Sequence, residues 1–297
     1  MIEMNGRKAL LLGCGFLLVI GFVCAVHAQV ITGTISGRVS DERGAVVPGA
    51  TVQAIEADTN VVRTTETNAA GEYVFPFLPP GPYRVVIQKT GFQQIIKSGL
   101  SLQIQQTIAQ DFVLAVGSVS QSVQVTGETP VMQTESASVG QVIGNKTVLT
   151  LPLNGRDYTQ LVTLAAGAVQ NSNSRVSNGF TLNGGQTFQT EILLNGLENV
   201  NRILGTGSTG TIDAITPSVD AIQEFSVQTG DYSAEYGHSA GGVVSVVIKS
   251  GTNQFHGDAF DFLRNDKLDA NDYFAKKSGL VRPPLRRNQF GGTLGGP

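Results

Sequence analysis

At 297 residues the chain has room for about two domains. Only 14 % of its residues are charged and the formal net charge is −3, which gives no reason to expect a nucleic-acid partner. Glycine is abundant at 36 residues and tryptophan is absent, a composition that favours strands and turns over long helices.

The first residues read as a secretory signal spanning 1–28. Arg7 and Lys8 form a basic start, Ala9 to Val26 is apolar, and Val26-His27-Ala28 is a small-x-small cleavage site before Gln29. An uncleaved membrane anchor is the competing reading. Lipid attachment at Cys24 is disfavoured, because Gly21-Phe22-Val23 is a poor attachment box. Cleavage would remove Cys14, Cys24 and His27, leaving no disulfide and too few ligands for a usual structural zinc site.

Residues 31–115 read as short strands separated by Gly and Pro turns. Thr34 to Val39 roughly alternates, Asp41-Glu42-Arg43-Gly44 is a turn, and Pro48-Gly49-Ala50 opens a strand over Thr51 to Ile55. Val61 to Thr67, Glu72 to Phe75, Tyr83 to Ile87 and Ile108 to Leu114 follow. This spacing predicts a small antiparallel sandwich. The residues Gly37-Arg38-Val39, Asp41, Gly44, Pro48-Gly49-Ala50, Gly71-Glu72-Tyr73, Leu78, Pro79-Pro80-Gly81-Pro82-Tyr83 and Gly91-Phe92 resemble the carboxypeptidase-regulatory-like module. That family has a transthyretin-like fold, carries no zinc site of its own, and is grouped with carbohydrate-binding-like folds. Tyr73, Phe75, Phe77, Tyr83 and Phe92 are expected in the core rather than on a glycan platform.

Residues 116–137 form a polar linker with one alternating segment, Ser122 to Thr126. Beyond it, 138–250 reads as a second, mixed α/β unit. Leu151-Pro152-Leu153-Asn154-Gly155-Arg156-Asp157 precedes a predicted helix from Tyr158 to Leu164, with Asn154 as its cap. Phe180 to Gly184 and Thr190 to Leu197 each read as a strand and turn. Ile222, Phe225 and Val227 mark an amphipathic run, followed by a polar turn from Thr229 to Ser233. Then come Tyr236-Gly237, a hinge at Ser239 to Gly242, and a buried strand from Val243 to Ile248. Gly241 and Gly242 remove side chains where another backbone could approach.

The order Ala221 to Val227, Ser233 to Gly237 and Gly241 to Lys249 resembles the close of the plug domain in TonB-dependent outer-membrane receptors. Leu151 to Arg156 resembles that family's "LPL.GR", and Asn195-Gly196 stands where it has Asp-Gly. Asn tolerates positive φ at least as well, so the turn is expected to survive. Gln228 to Tyr232 departs from the usual Arg-Gly-Pro and resembles the Oar-like branch, which carries the same N-terminal module. Residues 251–297 then resemble the start of a β-barrel. Phe260 and Phe262 share one face of a first strand, with His256 and Asp258 on that face too, and Arg286 to Pro297 begins a second. Two strands cannot close a barrel, so an N-terminal portion of a longer receptor, or a truncated gene product, is expected.

The resemblance implies a fold that is mainly β with some α: sandwich, plug, first barrel strands. It implies an outer-membrane location with the N-terminal module in the periplasm. It also implies energy-coupled transport of a substrate such as an oligosaccharide, siderophore or peptide, a periplasmic TonB-type partner, outer-membrane lipid around the barrel, and no cofactor. Val123, Gln124 and Val125 are the expected TonB box, which pairs with the partner by strand addition; the same segment also suits a plug strand. A secreted glycan- or protein-binding module without transport, or a non-functional truncation product, is the alternative.

Three patterns mimic enzyme sites. Gly205-Thr206-Gly207-Ser208-Thr209-Gly210 fits GxGxxG, but no helix follows it. Gly237-His238-Ser239-Ala240-Gly241 fits the spacing of a nucleophile elbow, yet a β-branched strand follows in place of a helix. Glu235 and His238 form an isolated ExxH among glycines. No catalytic or metal site is expected, and an enzyme is excluded.

Overall fold

The structure is a computed structural model that describes residues 31–117, 122–126, 138–170, 179–186, 189–200, 213–237 and 239–297, with the backbone alone at 122–126. The predicted cleavage site Ala28–Gln29 and the glycine run at 205–210 lie outside the described residues.

The N-terminal unit is built from β1 (Gly33–Asp41), β2 (Thr51–Glu56), β3 (Val62–Glu66), β4 (Glu72–Leu78), β5 (Gly81–Gln88), β6 (Gln94–Leu102), β7 (Thr107–Ala109) and β8 (Phe112–Leu114). One sheet runs β4-β1-β7, with β8 also on β1; the other runs β3-β2-β5-β6 and continues into β9 (Ser122–Thr126). Alternation along each strand sends Ile35, Val39, Val52, Ala54, Tyr73, Phe75, Val85 and Ile87 into one core. Each such apolar side chain, fully buried, stabilises by about 1.5–3 kcal/mol before entropy is charged against it. Tyr73 and Tyr83 bury their rings while their hydroxyls donate to Gln110 O and Pro79 O at 2.7 and 2.9 Å.

Three expectations change here. The sandwich is not purely antiparallel, because β7 and β8 both lie parallel to β1, and β9 lies parallel to β6. The run Ile108 to Leu114 is two short strands; Gln110 N bonds Ser36 O and Asp111 accepts from Arg38 N, which breaks the ladder between them. Phe77 is not in the core: it is 61 % exposed, at a left-handed φ of 57°. Tyr73, Phe75 and Tyr83 are buried, and Phe92 packs partly buried against them.

The second unit holds β10 (Val139–Gly144), α1 (Asn145–Thr150), β11 (Ala168–Gln170), β12 (Phe180–Leu182), β13 (Thr190–Leu194), β14 (Leu197–Glu198), β15 (Ile222–Gly230) and β16 (Gly242–Ile248). Its main sheet is ordered β10-β15-β16-β13-β14, with β13 and β16 parallel and β11-β12 as a separate pair. One face packs Ile143, Phe225, Val227, Val244 and Val246 against Tyr158, Leu161, Val162 and Phe180. Tyr158 to Leu164 is a 3-10 helix rather than an α-helix. Its cap is Asp157, whose side chain accepts from Thr159 N, and not Asn154. The Asn154 backbone instead exchanges two hydrogen bonds with the Gln160 side chain. β15 also runs on to Gly230, so the turn starts later than expected, at Asp231 with φ 49°.

A final hairpin pairs β17 (His256–Asn265) with β18 (Arg286–Gly295) in unbroken antiparallel register. A short helix α2 (Tyr273–Lys277) lies in the connection, capped by Asp272, whose carboxylate accepts from Phe274 N and Ala275 N. Among the described residues no helix is long and apolar enough to cross a membrane, a statement that does not bear on strands.

Candidate functional site

The Leu151–Arg156 loop is the point where the second unit meets the hairpin. Leu151 and Leu153 pack partly buried on the apolar core and anchor the loop. Gly155 and Arg156 both adopt left-handed φ, 79° and 55°, which turns the Arg156 side chain inward. Its Nη2 donates to both carboxylate oxygens of Asp220, at 2.8 and 2.7 Å, and both side chains are 7 % exposed. Asp220 sits in the middle of the 3-10 turn Val219–Ala221 that leads into β15, so the pair ties two distant stretches of chain. The guanidinium also lies over Phe262, 4.1 Å from the ring centroid, and 5.7 Å from that of Phe260. Its buried Nε has no hydrogen-bond partner, consistent with a face given over to the rings.

The hairpin register explains the imperfect alternation of its sequence. His256, Asp258, Phe260, Phe262 and Arg264 share a face with their partners Gly295, Thr293, Gly291, Gln289 and Arg287. That face meets the second unit. Arg264 Nη1 donates to Asn154 Oδ1 and Arg287 Nη2 donates to Gly155 O at 3.4 Å, while within the hairpin Thr293 Oγ1 donates to Asp258 Oδ1. The opposite face presents Ala259, Leu263, Phe290 and Leu294, with Phe290 and Leu294 79 % and 86 % exposed, and is interrupted by Asp261 opposite Phe290 and by Asn288 opposite Leu263. A largely apolar outer face on an antiparallel hairpin is compatible with a strand that meets lipid on one side. The Phe260/Phe262 pair is therefore inward, covering a buried cation. A cavity of about 510 Å³ remains between Pro152 to Arg156 and the hairpin residues Phe262, Arg264 and Arg287.

Asn195 and Gly196 form the tight turn between β13 and β14, with φ of 49° and 79°. Asn195 Oδ1 accepts from Ile248 N at 3.0 Å and its own N–H donates to Val246 O at 2.9 Å. The Asn side chain supplies the same acceptor an Asp would, so the substitution keeps the tie to β16. At Gly242 a Cβ would fall 2.5 Å from Gln228 O and 2.6 Å from Leu182 Cδ1; at Gly241 it would fall 3.1 Å from Leu182 O. The close approach read from the sequence is thus severe at Gly242 and mild at Gly241. Gly237 has nothing within 4 Å of its missing Cβ, so close packing does not explain it. Tyr236, 8 % exposed, packs on Leu193 and Val243, and its hydroxyl accepts from Gln105 Nε2.

Val123, Gln124 and Val125 do not form a loose segment. They lie in β9, paired in parallel with Ile95, Ile96 and Lys97 of β6. Ser239 is held by structural bonds: its hydroxyl accepts from Gly242 N at 3.0 Å and lies 3.2 Å from Gln189 O. His238 lies outside the described residues. Among the described residues, no group of three or more His, Cys, Asp or Glu could hold a metal ion. Sequence reasoning missed Asp220 and the inward role of Phe260 and Phe262. The available signal was parity, since the two rings alternate with Asp258 and Arg264 on one face.

Comparison with known proteins identifies the class first. Residues 34–115 match the family described as "Carboxypeptidase regulatory-like domain", and residues 247–297 match "Outer membrane beta barrel domain". The chain is also 28 % identical over 293 residues to the TonB-dependent transporter Oar of Myxococcus xanthus, covering 94 % of this chain and 26 % of that protein. The chain is thus similar to Oar-like TonB-dependent transporters, and its matches assign it to the outer membrane. It spans about a quarter of that relative's length. These homologues are transporters and receptors, not enzymes. Among solved structures, the siderophore receptor PirA from Acinetobacter baumannii is similar at TM-score 0.44 and 23 % identity, over 58 % of this chain and 24 % of that one. The outer membrane transporter YddB from Escherichia coli is similar at TM-score 0.42 and 13 % identity, over 51 % and 23 %.

Proposed function

We propose that the chain is the N-terminal part of a TonB-dependent outer-membrane transporter that moves a solute across the outer membrane at the expense of a periplasmic energy-transducing partner. On this reading 1–28 is the signal peptide, 31–115 the periplasmic sandwich, 116–137 the linker, 138–250 the plug, and 251–297 the start of the barrel. The observation that carries it is the hairpin, whose apolar face points away from the plug while its polar face and two rings cover the buried Arg156. A plug joined to the inward wall of a barrel in this way blocks the lumen until it is rearranged.

Val123, Gln124 and Val125 are the proposed TonB box. Strand addition to a partner needs a free edge, and among the described residues β9 is the last strand of its sheet, paired on one edge with β6, so a partner strand can add to its other edge. Energy coupling is then a strand addition, which needs no nucleotide site in this chain. The test is to express the whole reading frame with its native leader. The product should fractionate with the outer membrane and shift on heating as closed barrels do. It should also capture a purified periplasmic domain of the TonB-type partner. A product that stays soluble in the periplasm would favour a secreted binding module.

A further inference from the structure

The main sheet of the plug is buried on both faces, and the two faces differ in kind. Phe225, Val227, Val244 and Val246 face the apolar core. The other face of β15 and β16 carries Glu224, Ser226, Gln228 and Ser245 beside Val243 and Val247, all buried, with Ser226 directly opposite Ser245 in the register. The sandwich covers this polar face with the turn at 103–106, between β6 and β7. Ile104 N donates to Glu224 Oε1 at 2.5 Å. Gln105, held at a left-handed φ of 58°, donates from Nε2 to Tyr236 Oη and, at 3.2 Å, to Ser245 Oγ.

The seam is wet in character. Ile104 is 1 % exposed yet belongs to none of the apolar clusters. Beside it is a polar cavity of about 100 Å³ lined by Gln103, Gln105, Gln141, Ser226 and Gln228. Gln105 Oε1 and Gln228 Oε1 are buried there without a hydrogen-bond partner. At roughly 30 Å³ per water, the space suits a few waters bound to those two acceptors. Outside the turn the two units also meet through Gln223 Nε2 to Pro80 O at 3.1 Å, and Asn253 bonds the sandwich from Nδ2 to Thr59 O at 2.6 Å and from N to Asp58 O at 3.0 Å.

We propose that the sandwich is a detachable cap, whose turn at 103–106 seats on the polar face of β15 and β16 and releases from it as a unit without unfolding either partner. Release uncovers a carboxylate, amides and hydroxyls that water solvates well, beside Ile104 and the valines of β16, whereas opening the other face would expose the larger apolar cluster around Phe225, Val227, Val244 and Val246. The proposal goes beyond transport and does not rest on it.

Amide hydrogen exchange on the full chain in detergent micelles tests it, with the Ile104 N–H as reporter. Ile104 should exchange at least about tenfold faster than Val52 and Val85 in the sandwich core or Val244 in the plug core, because undocking is a smaller opening than unfolding. Glu224→Ala and, separately, Tyr236→Phe should each speed Ile104 by about tenfold more while the core amides keep their rates, since each removes one interface acceptor. Glu224→Gln keeps an acceptor oxygen and should leave Ile104 no faster than in the unchanged chain. Ile104 exchanging in step with the core amides, or core amides accelerating with it in both variants, would overturn the cap.

Discussion

The buried Arg156–Asp220 pair shows how much a single contact depends on its surroundings. Two charges at 7 % exposure hold each other in place, and removing either leaves the other without its partner. Asp220→Ala should therefore destabilise the chain by about 3–5 kcal/mol in a denaturant titration. The Arg156→Met, Asp220→Leu double variant should recover much of that loss, because no charge is then stranded. Gly242→Val should lower the melting temperature strongly, at a cost on the order of 1–3 kcal/mol or more, since its Cβ would strike Gln228 O and Leu182. Gly241→Ala should melt within a few degrees of the unchanged chain. Glu224 adds a pH dependence. Burial raises its pKa above the ordinary 4.5, and the Ile104 N–H offsets part of that rise. Because the raised value belongs to the docked state, its contribution is complete below the ordinary pKa and fades as pH rises through the raised one. Melting curves taken across that interval should show stability falling with pH, and Glu224→Gln should flatten the trend.

At the scale of elements, legibility followed the balance between local and distant bonds. β13 with its Asn195-Gly196 turn and the β-branched β16 were readable, because strand propensity and turn chemistry agree there. The Tyr158–Leu164 segment was placed but mistyped, since Asp157 next door caps it better than Asn154 and a tight 3-10 turn suffices to bury Tyr158 and Leu161. β15 read as an amphipathic run, and its polar side is buried where the turn at 103–106 of the sandwich docks on it. The fate of β9 was likewise unreadable, because a short alternating strand carries no mark of which edge it will join. The strand-addition reading of β9 makes a prediction. Proline at Val123 or at Val125 should abolish capture of the TonB-type partner at whichever position donates to the new ladder, while Gln124→Ser should leave capture nearly unchanged. Capture persisting in both proline variants would move the box elsewhere.

Along the described chain a sandwich closed around its own core is followed by a mixed-sheet unit and by a hairpin whose outer face is greasy apart from Asp261 and Asn288; on the proposed reading these run from periplasm to membrane. If that greasy face meets lipid in the complete protein, charge on it should obstruct assembly. Leu294→Arg and Phe290→Arg should each reduce heat-modifiable protein in the outer membrane, by about 2–4 kcal/mol of stability if they sit near the bilayer centre. Gln289→Arg, on the inward face, should be tolerated far better. Equal behaviour of the three would remove the assignment of faces.

The sequence by itself determined the two-unit order, the strand-rich architecture, the Leu151–Arg156 loop, and the need for a small residue at Gly242. Each rests on local rules: alternation, turn-forming residues, and the spacing of glycines against β-branched runs. Tertiary structure alone decided that Arg156 meets Asp220 and two aromatic rings, that Phe260 and Phe262 face inward, and that the sandwich seats its turn on Glu224. Those outcomes join residues 64 to 120 positions apart, and the free energy that selects them is burial shared between units. A side chain's own neighbours in the chain do not encode which distant partner will desolvate it.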